Sequence, residues 1–254
     1  MPGASSPDES ATLLVSCPDR PGLVAALAQV LHGHGANILD AAQHTDRVAQ
    51  HFFQRIHLDL SSLQTDLHTL EAAISEVAER LAMDWRLAHS SHRKRVAIFV
   101  SKFDHCLFDL LWRHRAGELH CEIPLIVSNH PDLAPLAEQF DVPYHVFPIT
   151  RETKRAQEEA ERALLEEAGI DLLVMARYMQ VLTGEFIAHY PARIINIHHS
   201  FLPAFMGGKP YHQAYERGVK RIGATAHYAT TDLDEGPIIE QDVVRATHAD
   251  SVQD

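Results

Sequence analysis

Between Arg193 and Ile239 the chain gathers side chains capable of chemistry more densely than anywhere else. Asn196 and His198 stand two residues apart at the end of the apolar run Arg193-Ile194-Ile195-Asn196-Ile197-His198, so on a strand both point the same way. Asp234 follows a second strand pattern, Gly223 to Tyr228, in a loop punctuated by Gly236 and Pro237. Acyl transfer needs an amide to donate to an oxyanion, an imidazole to carry a proton, and a carboxylate to orient or deprotonate. Asn196, His198 and Asp234 supply that set. His199 should face the other way, which predicts a structural or supporting place. His227, on the strand before Asp234, can either reach the pocket or brace the loop. Taken alone, an imidazole on an apolar strand is more often a hydrogen-bonded core residue than a proton carrier. Its spacing from Asn196 and the later carboxylate favours the carrier.

Competing chemistries fit less well. His198, His199, His212, His227 and Asp234 could supply metal ligands, but their spacing matches neither H-E-x-x-H nor a His/Cys deaminase pattern. No metal is expected. Gly207-Gly208-Lys209 mimics part of a phosphate-binding loop, yet no apolar strand directly precedes it and Pro210 follows. The acidic run Glu158, Glu159, Glu161, Glu166 and Glu167 reads as a solvated helix face.

Bulk composition narrows the classes further. In 254 residues, 22 Lys and Arg stand against 34 Asp and Glu, a formal charge of −12 that opposes a nucleic-acid surface. Cys17, Cys106 and Cys121 show no CxxC spacing, which suits a reducing compartment better than a disulfide scaffold. The first nine residues have neither a basic start nor an apolar run, and no window reaches membrane-spanning length. A cytoplasmic protein is expected, with no membrane contact.

Two sets of elements must position these residues. Residues 11–17 read as a buried strand, and Pro18-Asp19-Arg20-Pro21-Gly22 opens a helix with Asp19 as its N-cap. Val24, Leu27, Ala28 and Leu31 mark its buried stripe, and Gly33 and Gly35 stop it. A strand from Asn37, another carrying Phe52, Ile56, Leu58 and Leu60 on one face, a helix through Leu67, Leu70, Ile74, Val77 and Leu81, and a last strand with Met83, Trp85 and Leu87 complete a βαββαβ order. The polar stretch Ala88 to Lys94 is a domain boundary. Beyond it, apolar runs at 96–100, 123–127 and 171–175 alternate with helical patterns, the signature of a doubly wound, mostly parallel α/β sheet. Ser101, Arg177 and His198 fall at carboxyl ends of strands, where such sheets bind ligands. No GxGxxG follows the first strand, so a dinucleotide is not indicated.

The βαββαβ order and the Asp19-Arg20-Pro21-Gly22 loop resemble the ACT domain over roughly residues 10–88. That resemblance implies a homo-oligomer and an amino-acid effector bound near Gly22 and Asn37 when two modules pair. The plain alternative is that Gly22 only permits a tight turn. Residues of about 94–254 resemble the folate-dependent formyltransferase family. The motifs are Asn196-Ile197-His198, Ser200-Phe201-Leu202-Pro203, His227 and the loop Leu233 to Ile239. Within it, the ACT fusion, His198-His199-Ser200-Phe201, Lys209 to Gly218 and Ala224 to Tyr228 are similar to the branch that hydrolyses 10-formyltetrahydrofolate to formate and tetrahydrofolate.

The resemblance implies folate contacts from Met179, Gln180, Val181, Leu182, Asp232 and Leu233, catalysis by Asn196, His198 and Asp234, and supporting places for His227 and Ser101. It implies no cofactor, folate itself being the substrate, and formate supply for purine synthesis. Two departures bear on the acceptor and the tail. The glycinamide ribonucleotide branch carries a Gly-Ser-Asn phosphate loop after its first strand; here Ser101-Lys102-Phe103-Asp104-His105 is bulkier, which favours water as acceptor. That branch has Arg where this chain has Gln180. Family members also continue into a C-terminal helix, whereas this sequence stops at Ser251-Val252-Gln253-Asp254. An amine-accepting formyltransferase and a folate-binding sensor without turnover are the rival readings.

Overall fold

The computed structural model describes residues 9–150 and 152–253. These fall into two compact units that meet in sequence at Arg93 and Lys94.

In the first unit, β1 (Ser10–Pro18) buries Ala11, Leu13, Val15 and Cys17 by simple alternation. Helix α1 (Leu23–Gly33) turns Leu23, Leu27 and Leu31 inward. Asp19 does not cap it. Gly22 occupies the N-cap at φ 93° with no side-chain cap, and the Asp19 N–H instead donates to the Gln50 carbonyl. The left-handed backbone at Gly22 moves the helix start past Pro21, so Asp19 lies too early to reach the free N–H groups. Strands β2 (Asn37–Asp46) and β3 (His51–Asp59) follow. Helix α2 (Leu67–Leu81) starts at a true cap, Asp66 accepting from the Thr69 N–H at 2.8 Å, and β4 (Asp84–His89) closes the unit. The sheet order β2-β3-β1-β4 is antiparallel throughout, and both helices bury their apolar stripes in one core with β1 and β3.

The second unit runs β5 (Lys94–Val100), α3 (His105–Arg115), β6 (Cys121–Ser128), α4 (Ala134–Gln139), β7 (Tyr144–Val146), α5 (Lys154–Glu167), β8 (Leu172–Met175), α6 (Gly184–His189), β9 (Ile194–His198), α7 (Pro210–Arg217), β10 (Arg221–Tyr228) and β11 (Ile238–Arg245). Its seven strands are ordered β11-β10-β9-β8-β5-β6-β7. Strands β5 to β9 are parallel, and β10 and β11 join antiparallel. Two apolar clusters pack the opposite faces, one under α5 and α6, the other under α3 and α4.

The acidic run on α5 is a solvated face only in part: Glu159, Glu166 and Glu167 are exposed, but the other two members are not. Glu161 is wholly buried and Glu158 nearly so. Glu158 accepts from the backbone N–H and the hydroxyl of Thr183, and Glu161 accepts from Gln157 at 2.6 Å and from the Tyr178 hydroxyl at 3.4 Å. Gln157 lies on α5 itself, but Thr183 and Tyr178 come from the chain after β8. A pattern of charges along one helix carries no record of them, so the sequence reads as solvated.

Candidate active site

The strand pairing that builds the sheet edge also builds the site. Antiparallel register sets His227 of β10 directly opposite Asn196 of β9. The Asn196 amide donates to His227 Nε2 at 3.2 Å, and His227 Nδ1 donates to the Tyr228 carbonyl at 3.0 Å, so both ring nitrogens of the buried His227 are used. An amide nitrogen carries two hydrogens, so the second remains for a ligand. His227 therefore aims Asn196 as well as bracing the strand.

His198 closes β9 with only 7% of its surface exposed. Its Nδ1 faces Asp234 Oδ1 at 3.3 Å, and its Nε2 donates to the Phe205 carbonyl at 3.2 Å. Acceptors at both nitrogens suit an imidazolium, which donates from both. Asp234 is held in turn: Oδ2 accepts the Gly207 N–H at 3.0 Å, and Oδ1 lies 4.0 Å from His227 Nε2. Its backbone is left-handed at φ 60°, a conformation asparagine and aspartate tolerate best among residues with a side chain.

Glycine sets the loop's approach. A Cβ at Gly236 would stand 1.7 Å from the Tyr228 carbonyl oxygen, so any side chain there would lift Asp234 away from the two histidines. The facing loop 200–207 is tied down by Thr225, which donates to the Ser200 carbonyl at 2.7 Å and accepts from the Leu202 N–H at 3.1 Å. Gln241 donates to the Leu202 carbonyl at 3.0 Å. Phe205 and Gln241 carried no signal in the sequence, because a carbonyl acceptor and an edge-strand amide look like any others.

Asn196, His198, His227 and Asp234 line a cleft of about 250 Å³ at the carboxyl ends of β8 and β9. Met179, Gln180, Val181, Leu182 and Leu233 line it too, and Met179, Val181 and Leu233 are more than half exposed, at 60%, 56% and 53%. Apolar side chains left open around a polar floor fit a flat aromatic ligand. Asp232 is not among the lining residues; its carbonyl accepts from the Thr230 hydroxyl at 3.0 Å and shapes the turn. Ser101 also lies off the cleft wall. Its hydroxyl donates to Asn129 Oδ1 at 2.7 Å and accepts the Met179 N–H at 3.0 Å, anchoring the start of the Met179 loop.

His199, just past the end of β9, does not turn away as expected but lines the same cleft, where it accepts from the Arg177 guanidinium at 2.7 Å. Burial and the adjacent cation push it down to about 4 from the ordinary histidine value of 6.5. Among the described residues no group of three or more His, Cys, Asp or Glu side chains is arranged to hold a metal ion. No helix among them is long and apolar enough to cross a membrane.

The family models described as formyl transferase and ACT domain match residues 94–254 and 11–78. A formyltetrahydrofolate deformylase of Synechocystis is 56% identical over 96% of this chain and 86% of its own length. The chain belongs to the formyltetrahydrofolate deformylase family. A crystal structure of a formyltetrahydrofolate deformylase from Pseudomonas syringae superposes with a TM-score of 0.93 at 44% identity, over 96% of this chain and 82% of that one. A glycinamide ribonucleotide transformylase of Symbiobacterium toebii shares a smaller part, with a TM-score of 0.61 at 33% identity over 64% of this chain and 78% of its own. The fold is thus an ACT domain and a formyltransferase-type α/β sheet in one chain.

The first unit's expected ligand residues lie apart in the single chain. Gly22 lines a surface recess with Arg20, Gln43 and Thr45, while Asn37 begins β2 at the opposite end of α1.

Proposed function

We propose that the chain hydrolyses 10-formyltetrahydrofolate to formate and tetrahydrofolate, with Asn196, His198 and Asp234 carrying the chemistry. The observation that carries this reading is their convergence in one cleft rimmed by exposed apolar side chains. A water attacks the formyl carbon, and the carbonyl oxygen becomes an oxyanion. The free Asn196 N–H stabilises it, an interaction worth on the order of 3 kcal/mol in comparable acyl-transfer sites. Asp234 orients His198 and takes the proton the water loses. His198 gives a proton to N10, a poor leaving group without one. Its Nε2 donates to the Phe205 carbonyl, so that bond must yield for the ring to reach N10 through this nitrogen. Met179, Gln180, Val181, Leu182 and Leu233 receive the pterin.

The first unit serves as an amino-acid sensor, its effector held near Gly22 and Asn37 once two copies pair, and the enzyme works as a cytoplasmic homo-oligomer. The formate released feeds purine synthesis. The test incubates the protein with 10-formyltetrahydrofolate and a chelator, without an amine, and follows formate and tetrahydrofolate. Equal release of both supports the hydrolase, and loss under chelation would make it a metal enzyme. Addition of single amino acids, with sedimentation of the same samples, checks the sensor and the oligomer.

A further inference from the structure

In a doubly wound sheet, the crevice open to a ligand lies where neighbouring strands send their connections in opposite directions. Here that point is between β5, whose chain leads to β6, and β8, whose chain leads to β9. The crevice is filled by the protein itself. Phe103, from the loop after β5, lies under the Arg177 guanidinium from the loop after β8, at 4.4 Å. Arg177 donates to His199 at 2.7 Å, and His199 meets the Tyr211 ring edge-on at 6.0 Å. Ser101 ties the same two loops through the Met179 N–H.

This ladder is not built for stability. Arg177 holds a left-handed backbone at φ 62°, and its buried Nε finds no hydrogen-bond partner among the described residues. Strain and a buried N–H without a partner both cost folding energy, and such costs gather at functional sites. Arg177 and His199 line the same cleft as Asn196 and His198. They stand where a second substrate would approach the formyl carbon.

We infer that the Phe103–Arg177–His199–Tyr211 ladder sets the acceptor specificity, closing the switch-point crevice to amines so that only water reaches the formyl group. This rests on the hydrolase reading above. With the ladder closed, water oxygen bonds to the formyl carbon, the bond to N10 breaks, N10 takes a proton, and formate leaves. With it open, an amine nitrogen forms that bond instead and loses a proton, N10 gains one, and the products are an N-formyl amine and tetrahydrofolate.

The experiment compares the full chain with Arg177→Gly and, separately, Phe103→Ala, each supplied with 10-formyltetrahydrofolate and excess glycinamide. Formate and N-formylglycinamide are counted by mass spectrometry. Glycine accepts φ 62° without strain, so the first variant should fold. Phe103 is half exposed, which makes the second variant mild. The wild type should yield formate almost alone, and the variants should raise the N-formylglycinamide fraction by about tenfold or more. Comparable transfer by the wild type would overturn the inference. So would variants that still hydrolyse but never transfer. A wild type that releases no formate, with or without the amine, would instead overturn the hydrolase reading.

Discussion

His198 ends β9 and His199 follows it, and the protein treats the two in opposite ways. His198 meets a carboxylate, Asp234, at 3.3 Å, and a carbonyl at its other nitrogen. His199 meets a guanidinium at 2.7 Å and is pushed down to about 4. The first is surrounded by acceptors and equipped to carry a proton. The second is kept a neutral acceptor across the neutral range. One residue separates the two surroundings, so the partners each ring meets, together with its burial, divide proton carrier from prop.

The largest effect should come from removing the acceptor on the His198 face. Asp234→Asn keeps the size of the side chain but ends its service as a base and as counter-charge. We expect kcat to fall by about 10³-fold or more, with KM for 10-formyltetrahydrofolate little changed. A fall in kcat of less than tenfold would show that the carboxylate only shapes the loop. Asn196→Ala should cost about 10²-fold to 10³-fold in kcat, the usual loss for one oxyanion donor. His227→Phe leaves Asn196 in place but unaimed, and should fall between wild type and Asn196→Ala. Parity of His227→Phe with wild type in kcat would remove the positioning role.

The parts of this comparison legible in the sequence were those carried by local periodicity. One apolar run, interrupted by Asn196 and ended by His198, announces a strand end that presents both, and alternation along 11–17 announces β1. What could not be read depends on partners distant in sequence. Nothing near Glu161 foretells Tyr178, and nothing near His199 foretells that Arg177 rather than a carboxylate will face it. Asp19 misled for a different reason: its residue type suits a cap, but the positive φ of Gly22 moved the helix start beyond its reach. Gly236 was visible as punctuation, yet its real constraint is the approach of the Tyr228 carbonyl, which only the folded pairing reveals.

Glu161 sharpens the comparison, because burial is the largest influence on its carboxyl. Desolvation raises it to about 7 from 4.5, despite hydrogen bonds from Gln157 and Tyr178 that favour the anion. A folded value above the unfolded one means that the native state binds the proton more tightly. The stabilisation is then complete below about 4.5 and is lost as the pH climbs to about 7. The difference amounts to about 3 kcal/mol. Glu161→Gln should remove that slope, so that wild type and variant diverge in denaturant midpoint between pH 5 and pH 8 by about that much. Parallel profiles would mean that the carboxyl is already ionised in the fold.

The smallest effect concerns His199 and asks how much of its neutrality belongs to Arg177. Burial is the larger cause and the guanidinium the next. Arg177→Met keeps an apolar stem on Phe103 and removes the charge. The His199 value, followed by NMR of the ring protons, should rise from about 4 but remain below 6.5, since the ring stays buried. Its sign is opposite to that of Glu161: a depressed histidine loses stability as the pH falls from 6.5 towards 4, so the variant should tolerate acid better than the wild type on this account. A titration at 6.5 in the variant would assign the neutrality to the cation alone. An unmoved value would assign it to burial alone.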